Sequence, residues 1–238
     1  MSDNEEIIVN EEVVEKSVNK GSAISDKITN FINENKSSII KWAVIPVAII
    51  GLLVAWRVWW LPQRNDEANK ELAKLYHYYD SDSMDFVLKG GKGLVSAPKI
   101  ASSYWLTQKG KEAALMAATA YLKTGDYKNA LKYFGKCKSK DETTAASILA
   151  GKAHCYSEMK ETKKAAEYYL KAAEKGDNEF TAPYYKTAGI HFEMAGEYSK
   201  AIKAYTSLKE KYPNSGMQEV SDIDRYIYKA KALNGDLD

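Results

Sequence analysis

Three histidines, His77, His154 and His191, and two cysteines, Cys137 and Cys155, are the side chains of this 238-residue chain best suited to metal or nucleophile chemistry. The histidines lie far apart in sequence, and two cysteines fall short of a four-ligand zinc site or a disulfide framework. The run Lys89-Gly90-Gly91-Lys92-Gly93 has the residue types of a phosphate cradle. A P-loop, however, needs four residues between its glycines and a Gly-Lys followed by Ser or Thr, and here Gly93 is followed by Leu94. That run reads as a turn. No Ser/His/Asp or Cys/His arrangement, zinc-binding helix motif or dinucleotide fingerprint is visible, and the paired carboxylates Glu5 and Glu6 belong to an acidic leading segment. Neither enzymatic activity nor a cofactor is expected.

Composition points to a folded chain that contacts other proteins. The sequence is 45% apolar and 28% charged with five prolines, the profile of a domain and not of a disordered polymer. Its 34 Lys and Arg nearly cancel its 32 Asp and Glu, so the total charge carries no nucleic-acid footprint. The near balance hides unlike segments: residues 1–41 hold eight acidic and five basic residues, and residues 62–238 hold 24 acidic and 28 basic ones. The first segment has only short apolar patches, Ile7 to Val9 and then Ile24, Ile28, Phe31 and Ile32, and reads as an acidic, mostly disordered tail whose second patch has helical spacing.

Between these lies Trp42 to Leu61, WAVIPVAIIGLLVAWRVWWL, apolar almost throughout. At about 1.5 Å per residue such a run spans roughly 30 Å of hydrocarbon. Trp42, Trp56, Trp59 and Trp60 sit at its ends like an aromatic belt, and Arg57 is one turn from the distal end, where it can snorkel to head groups. Residues 42–61 are therefore expected to be a transmembrane signal anchor, uncleaved because 41 residues precede it and no small-x-small site ends it. Lys27, Lys36 and Lys41 on one side are balanced by Arg57, Arg64, Lys70 and Lys74 on the other, so the charge rule leaves the orientation open. Gly51 and Ala55 form a small-xxx-small pair through which the span could pack on another helix.

From residue 111 onward the chain repeats with a period of 35 to 36. One block carries Ala118, Tyr121, Gly125, Tyr127, Ala130, Phe134 and Cys137; the next Ala153, Tyr156, Lys160, Thr162, Ala165, Tyr169 and Ala172; the last Gly189, Phe192, Gly196, Tyr198, Ala201, Tyr205, Leu208 and Pro213. These are the small, aromatic and turn positions of a tetratricopeptide repeat. Small residues let the first helix of each pair approach its partner, and the aromatics fill the space beside them. The fold class expected is all-α, a single transmembrane helix followed by a tetratricopeptide α-solenoid over residues 62–238, with repeats at about 111–144, 146–179 and 182–215. A capping helix is expected over 217–234, with Val220, Ile223, Ile227 and Ala230 on one face. Helical spacing at Ala68, Leu72, Leu75 and Tyr79, and a second candidate helix over Pro98 to Thr107, supply the leading end of the stack. The second repeat has Lys160 where its neighbours have Gly125 and Gly196, and a less regular turn is expected there.

A stack of this kind binds along its concave face. The residues expected on that face are Glu112, Leu115, Thr119, Leu122, Lys123, His154, Glu158, Lys186, Ile190, Glu193 and Met194, mixed charges with apolar anchors that suit a helix or an extended segment. Cys137 occupies a small-residue packing position and is expected as a buried thiol, with a bond to Cys155 left open. The 17 tyrosines read mainly as core and not as a stacking platform.

With these parts in order, residues 25–235 resemble the single-pass, membrane-anchored tetratricopeptide proteins of Gram-negative bacteria, the YfgM-like ancillary subunits of the SecYEG translocon. The versions from Bacteroidota are most similar, in the Asp-Ser-rich stretch Asp80 to Phe86, in Asn178-Glu179-Phe180-Thr181, and in Lys211-Tyr212-Pro213-Asn214-Ser215. The sequence departs from them at Lys89-Gly90-Gly91-Lys92-Gly93 and at the second-repeat turn. The resemblance implies a cytoplasmic tail, one inner-membrane helix and a periplasmic repeat domain that works as a scaffold or co-chaperone beside the translocon and a membrane-anchored peptidyl-prolyl isomerase chaperone. Two other readings stay open: an independent periplasmic holdase, and a cytosol-facing membrane adaptor.

Overall fold

The computed structural model describes residues 27–91, 93–213 and 222–236. The acidic segment up to residue 26, Lys92, and the stretch 214–221 with Val220 lie outside the described residues, so the expectations placed on them stand as sequence readings. The chain divides into two units that meet between Trp60 and Leu61.

In the first unit, helix α1 covers residues 27–34 and helix α2 covers Lys36–Ala55, followed by a π-helical turn, Trp56–Trp60. Pro46 lies inside α2. Proline in mid-helix removes one backbone donor, and a membrane helix tolerates this where its other backbone groups stay satisfied. Trp42, Trp56, Trp59 and Trp60 and the aliphatic residues described around them are exposed, and the Trp56 and Trp60 rings stack at 5.4 Å. The helical stretch beginning at Val44 is, among the described residues, the one long and apolar enough to cross a membrane.

The second unit is all-α. Its helices are α3 (Leu61–Asp80), α4 (Met84–Lys89), α5 (Ala97–Ser103), α6 (Gln108–Lys123), α7 (Tyr127–Lys136), α8 (Glu142–Glu158), α9 (Thr162–Gly176), α10 (Pro183–Met194), α11 (Tyr198–Lys211) and α12 (Ile223–Asn234). Helices α6/α7, α8/α9 and α10/α11 pair as hairpins, and the second helix of each pair packs on the first helix of the next, so that α12 closes on α11. Upstream, α3 and α5 pack on α6 in the manner of one further, irregular repeat. One core joins Leu72, Leu75, Val87, Ile100, Met116 and Phe134. A second joins Tyr169, Tyr185, Phe192, Tyr205, Leu208 and Ile223.

The small positions act as expected where the helices touch. A Cβ on Gly189 would lie 2.2 Å from the Tyr205 ring, which is wholly buried, so only glycine allows α10 and α11 their spacing. Repeats one and two stack the same ring pair, Tyr121 on Tyr133 at 5.4 Å and Tyr156 on Tyr168 at 5.2 Å. In repeat three Phe192 stands in the first position, and Ala204 leaves the second without a ring.

Two expectations need correction. The turn of the second repeat is as regular as the others: Lys160 takes φ 62, close to Gly125 at 79 and Gly196 at 72. Its backbone bonds, Lys160 N to Ser157 O and Glu161 N to Tyr156 O, both 2.9 Å, repeat those of Gly196 and Glu197. The turn is dictated by the hairpin, and the lysine accepts left-handed backbone strain to make it. The helix expected over Pro98 to Thr107 stops at Ser103. Thr107 instead caps α6, its Oγ1 accepting from Gly110 N at 2.9 Å while donating to Tyr104 O at 2.8 Å. Asp80 to Phe86, to which the sequence reading assigned no element, contains the start of α4, which buries Met84 and Val87. The glycine run after α4 is a turn closed by paired backbone bonds between Gly91 and Leu94.

Candidate protein-interaction surface

The first helices of the repeats, α6, α8 and α10, carry all the residues expected to contact a partner. On α6, Glu112 accepts a hydrogen bond from Tyr76 Oη of α3 and pairs with Lys109 at 2.8 Å. Burial, and then Glu112, push the Tyr76 hydroxyl up to about 12. Glu112 and Leu115 border a cleft of about 280 Å³ with Lys111, Cys137, Asp141, Thr144 and Ile148. Thr119 Oγ1 donates to Leu115 O at 3.0 Å, and Leu115 and Leu122 are half-buried against the first core. Lys123 reaches Asp82 at 2.7 Å and lies 5.7 Å from the Tyr79 ring centre, so it is held by the upstream helices.

On α8, His154 and Glu158 are both exposed, and Glu158 accepts from Tyr127 Oη of α7 at 3.2 Å. On α10, Ile190 is half-buried against the second core. Lys186 lies 4.8 Å from the Tyr226 ring centre of α12. Glu193, only 9% exposed at its side chain, accepts from Tyr205 Oη at 2.8 Å and Lys229 Nζ at 2.7 Å. Met194, at the end of α10, is 65% exposed. Of the eleven residues, then, the charged ones are fixed by internal partners, and His154 and Met194 stand open.

The sequence reading missed those partners, Tyr76, Asp82, Tyr127, Tyr226 and Lys229. The repeat period would have found two of them, because Tyr76 lies one period before Glu112 and Lys229 one period after Glu193. A separation of 34, close to that period, joins Lys163 to Glu197 and Lys211 to Asp177 across successive units. Lys163 and Lys200 together hold the Glu197 carboxyl down at about 2.

His191 is the histidine that the fold draws inward. Its ring stacks on Tyr169 at 5.4 Å, Nε2 lies 3.5 Å from Ser157 Oγ, and its buried Nδ1 has no partner among the described residues. Burial first, and then the nearby His154, lower its pKa. Cys137 and Cys155 are free and buried, and burial raises each thiol to about 11, far from a reactive thiolate.

Residues 111–143 and 146–174 match one tetratricopeptide repeat model and residues 184–215 match another. The fold is a tetratricopeptide solenoid. No curated protein matches the chain. Tetratricopeptide stacks present an extended surface to other proteins and are not in general catalytic, so the chain is a repeat protein of the protein-binding kind carrying one helix able to cross a membrane.

Proposed function

We propose that this protein is a membrane-anchored scaffold that holds a partner protein against the first helices of its repeats, beside the SecYEG translocon and a membrane-anchored peptidyl-prolyl isomerase chaperone. The observation that carries the scaffold reading is the set of first-helix charges already fixed by internal partners. Glu112, Lys123, Glu158, Lys186 and Glu193 would lose little freedom on binding, while His154 and Met194 remain open to contact. A preorganised surface with apolar anchors suits a helix or an extended segment. The translocon, the cytoplasmic tail and the periplasmic side of the repeats are supported by the resemblance in the order of parts and in Asp80 to Phe86, Asn178 to Thr181 and Lys211 to Ser215.

Tagged full-length protein, crosslinked briefly and purified in mild detergent, should bring down the translocon channel and the isomerase. The double variant His154→Glu, Met194→Asp should lose them, and because both side chains are exposed its fold should persist. Recovery of neither protein with the wild-type chain discards the translocon assignment; recovery undiminished by the variant discards this face. Charge reversal at Lys123 is a poorer probe, since it would also break the Asp82 bridge.

The holdase reading draws support from Trp105 and Phe180, which are 66% and 83% exposed on the repeat unit. It requires the purified chain to suppress aggregation of an unfolded test protein at stoichiometric ratio. A cytosol-facing adaptor would have its repeats protected from protease added to intact spheroplasts.

A further inference from the structure

The second helices of the repeats are charged quite differently from the first. Helices α7, α9 and α11 carry eleven lysines against three glutamates, whereas α6, α8 and α10 carry five against four. None of the second helices contains arginine. Many of these lysines fall at spacings of four or eight, which places them along one face of each helix: Lys128, Lys132 and Lys136 on α7, Lys163, Lys171 and Lys175 on α9, and Lys203 and Lys211 on α11. All eight are exposed, and the only acid in the same rows is Glu167. Lys163 and Lys211 pair with Glu197 and Asp177, but no ion pair among the described residues engages the other six. Because each hairpin repeats the last, the stripe recurs at an equivalent place in three successive units.

We infer that this basic stripe is a docking surface for anionic phospholipid head groups of the membrane that the Trp42 to Leu61 span enters. The inference rests on the anchored reading above. Clustered lysines near a bilayer gain attraction from acidic lipids without any shaped pocket, and none is needed here. The stripe uses lysine, a flexible point charge, where specific phosphate recognition favours the fork of arginine. The rings beside it, Tyr133 under Lys136 at 4.5 Å and Tyr168 under Lys171 at 5.0 Å, are already stacked on Tyr121 and Tyr156, so they offer single-stranded nucleic acid no open platform. The repeat unit begins at Leu61, directly after the apolar run, so chain connectivity keeps it near whatever bilayer the run occupies. Docking would hold the stack on its second helices and leave the first helices free for a partner protein.

The test uses the full-length protein in lipid nanodiscs, of phosphatidylcholine alone or mixed in equal parts with phosphatidylglycerol. Amine labelling of each lysine is read by mass spectrometry, with exposed Lys231 on α12 as the internal reference. Labelling of Lys132, Lys171 and Lys203 should fall about threefold or more in the anionic discs and recover in 1 M salt, where the Debye length is about 3 Å. The variant Lys132→Glu, Lys171→Glu, Lys203→Glu should keep its helical circular dichroism and lose the protection. Equal labelling in both discs, or protection that survives the variant, overturns the proposal. So does protection that comes from added single-stranded RNA and not from phosphatidylglycerol, which would assign the stripe to nucleic acid. Entry of the chain into the discs is scored separately by co-elution with lipid. Failure to enter removes the anchored reading and the docking with it, whereas entry with unprotected lysines removes the docking alone.

Discussion

Glu193 and Lys229 lie 36 residues apart, one repeat, and their charged ends meet at 2.7 Å. The carboxylate also takes the Tyr205 hydroxyl at 2.8 Å, so a single half-buried acid joins α10, α11 and α12. Replacing Glu193 with Ala leaves the hydroxyl of a fully buried tyrosine without an acceptor and should cost about 1–3 kcal/mol. Lys229→Ala removes only a cation that is 62% exposed, for less than about 1 kcal/mol. Urea denaturation of the two variants tests the difference; equal losses would mean that the tyrosine hydrogen bond contributes nothing.

Two glycine-to-alanine changes should move stability in opposite directions. Gly135 in α7 has open space where a Cβ would go, so Gly135→Ala should gain roughly 0.5–1 kcal/mol from the lower entropy of its unfolded chain. Gly189→Ala would drive a methyl to 2.2 Å from the buried Tyr205 ring and should lose about 1–3 kcal/mol. Thermal melts of the pair decide it, and stabilisation of both would mean that α10 and α11 can separate freely.

The turn at Lys160 predicts a gain from glycine. A lysine at φ 62 bears a left-handed penalty of about 1–2 kcal/mol that glycine avoids, offset by glycine's greater unfolded freedom, so Lys160→Gly should stabilise by about 0.5–1 kcal/mol. The same substitution at half-buried Lys152, in the body of α8, should destabilise instead, as ordinary helix propensity requires. Denaturant midpoints of both variants make the comparison.

His191 gives the stack a pH dependence with a definite sign. Its folded pKa lies below the ordinary value of 6.5 because burial, and then the charge of His154, disfavour the imidazolium. The unfolded chain therefore binds the proton more readily, and stability is lost as pH falls through 6.5 toward the folded pKa and regained as it rises. His191→Phe keeps a ring against Tyr169 and should flatten that part of the profile. An unchanged slope between pH 7 and 5 in the variant would assign the dependence to other groups.

The repeat period, the apolar run and the small residues facing aromatics were legible in the linear sequence because each is a matter of local spacing. A residue such as Gly189 announces close packing sixteen positions before the ring it touches, Tyr205, since both recur at fixed places in every unit. The helix pairs and their order follow from that periodicity. The short helix α4 was not legible: six residues are too few for a 3.6-residue pattern to declare itself. Nor was the regular turn at Lys160, because side-chain preference argues against a conformation that the hairpin imposes.

The sequence by itself determined that this chain is a helical repeat protein with a segment able to enter a membrane, since hydrophobic period and run length suffice for both. Only the tertiary structure decided which charges are already in use. As isolated letters Glu193, Lys123 and Glu158 are no different from His154 and Lys132, but side chains 31 to 41 residues apart meet only when the helices stack, and that stacking occupies some and leaves others open to partners.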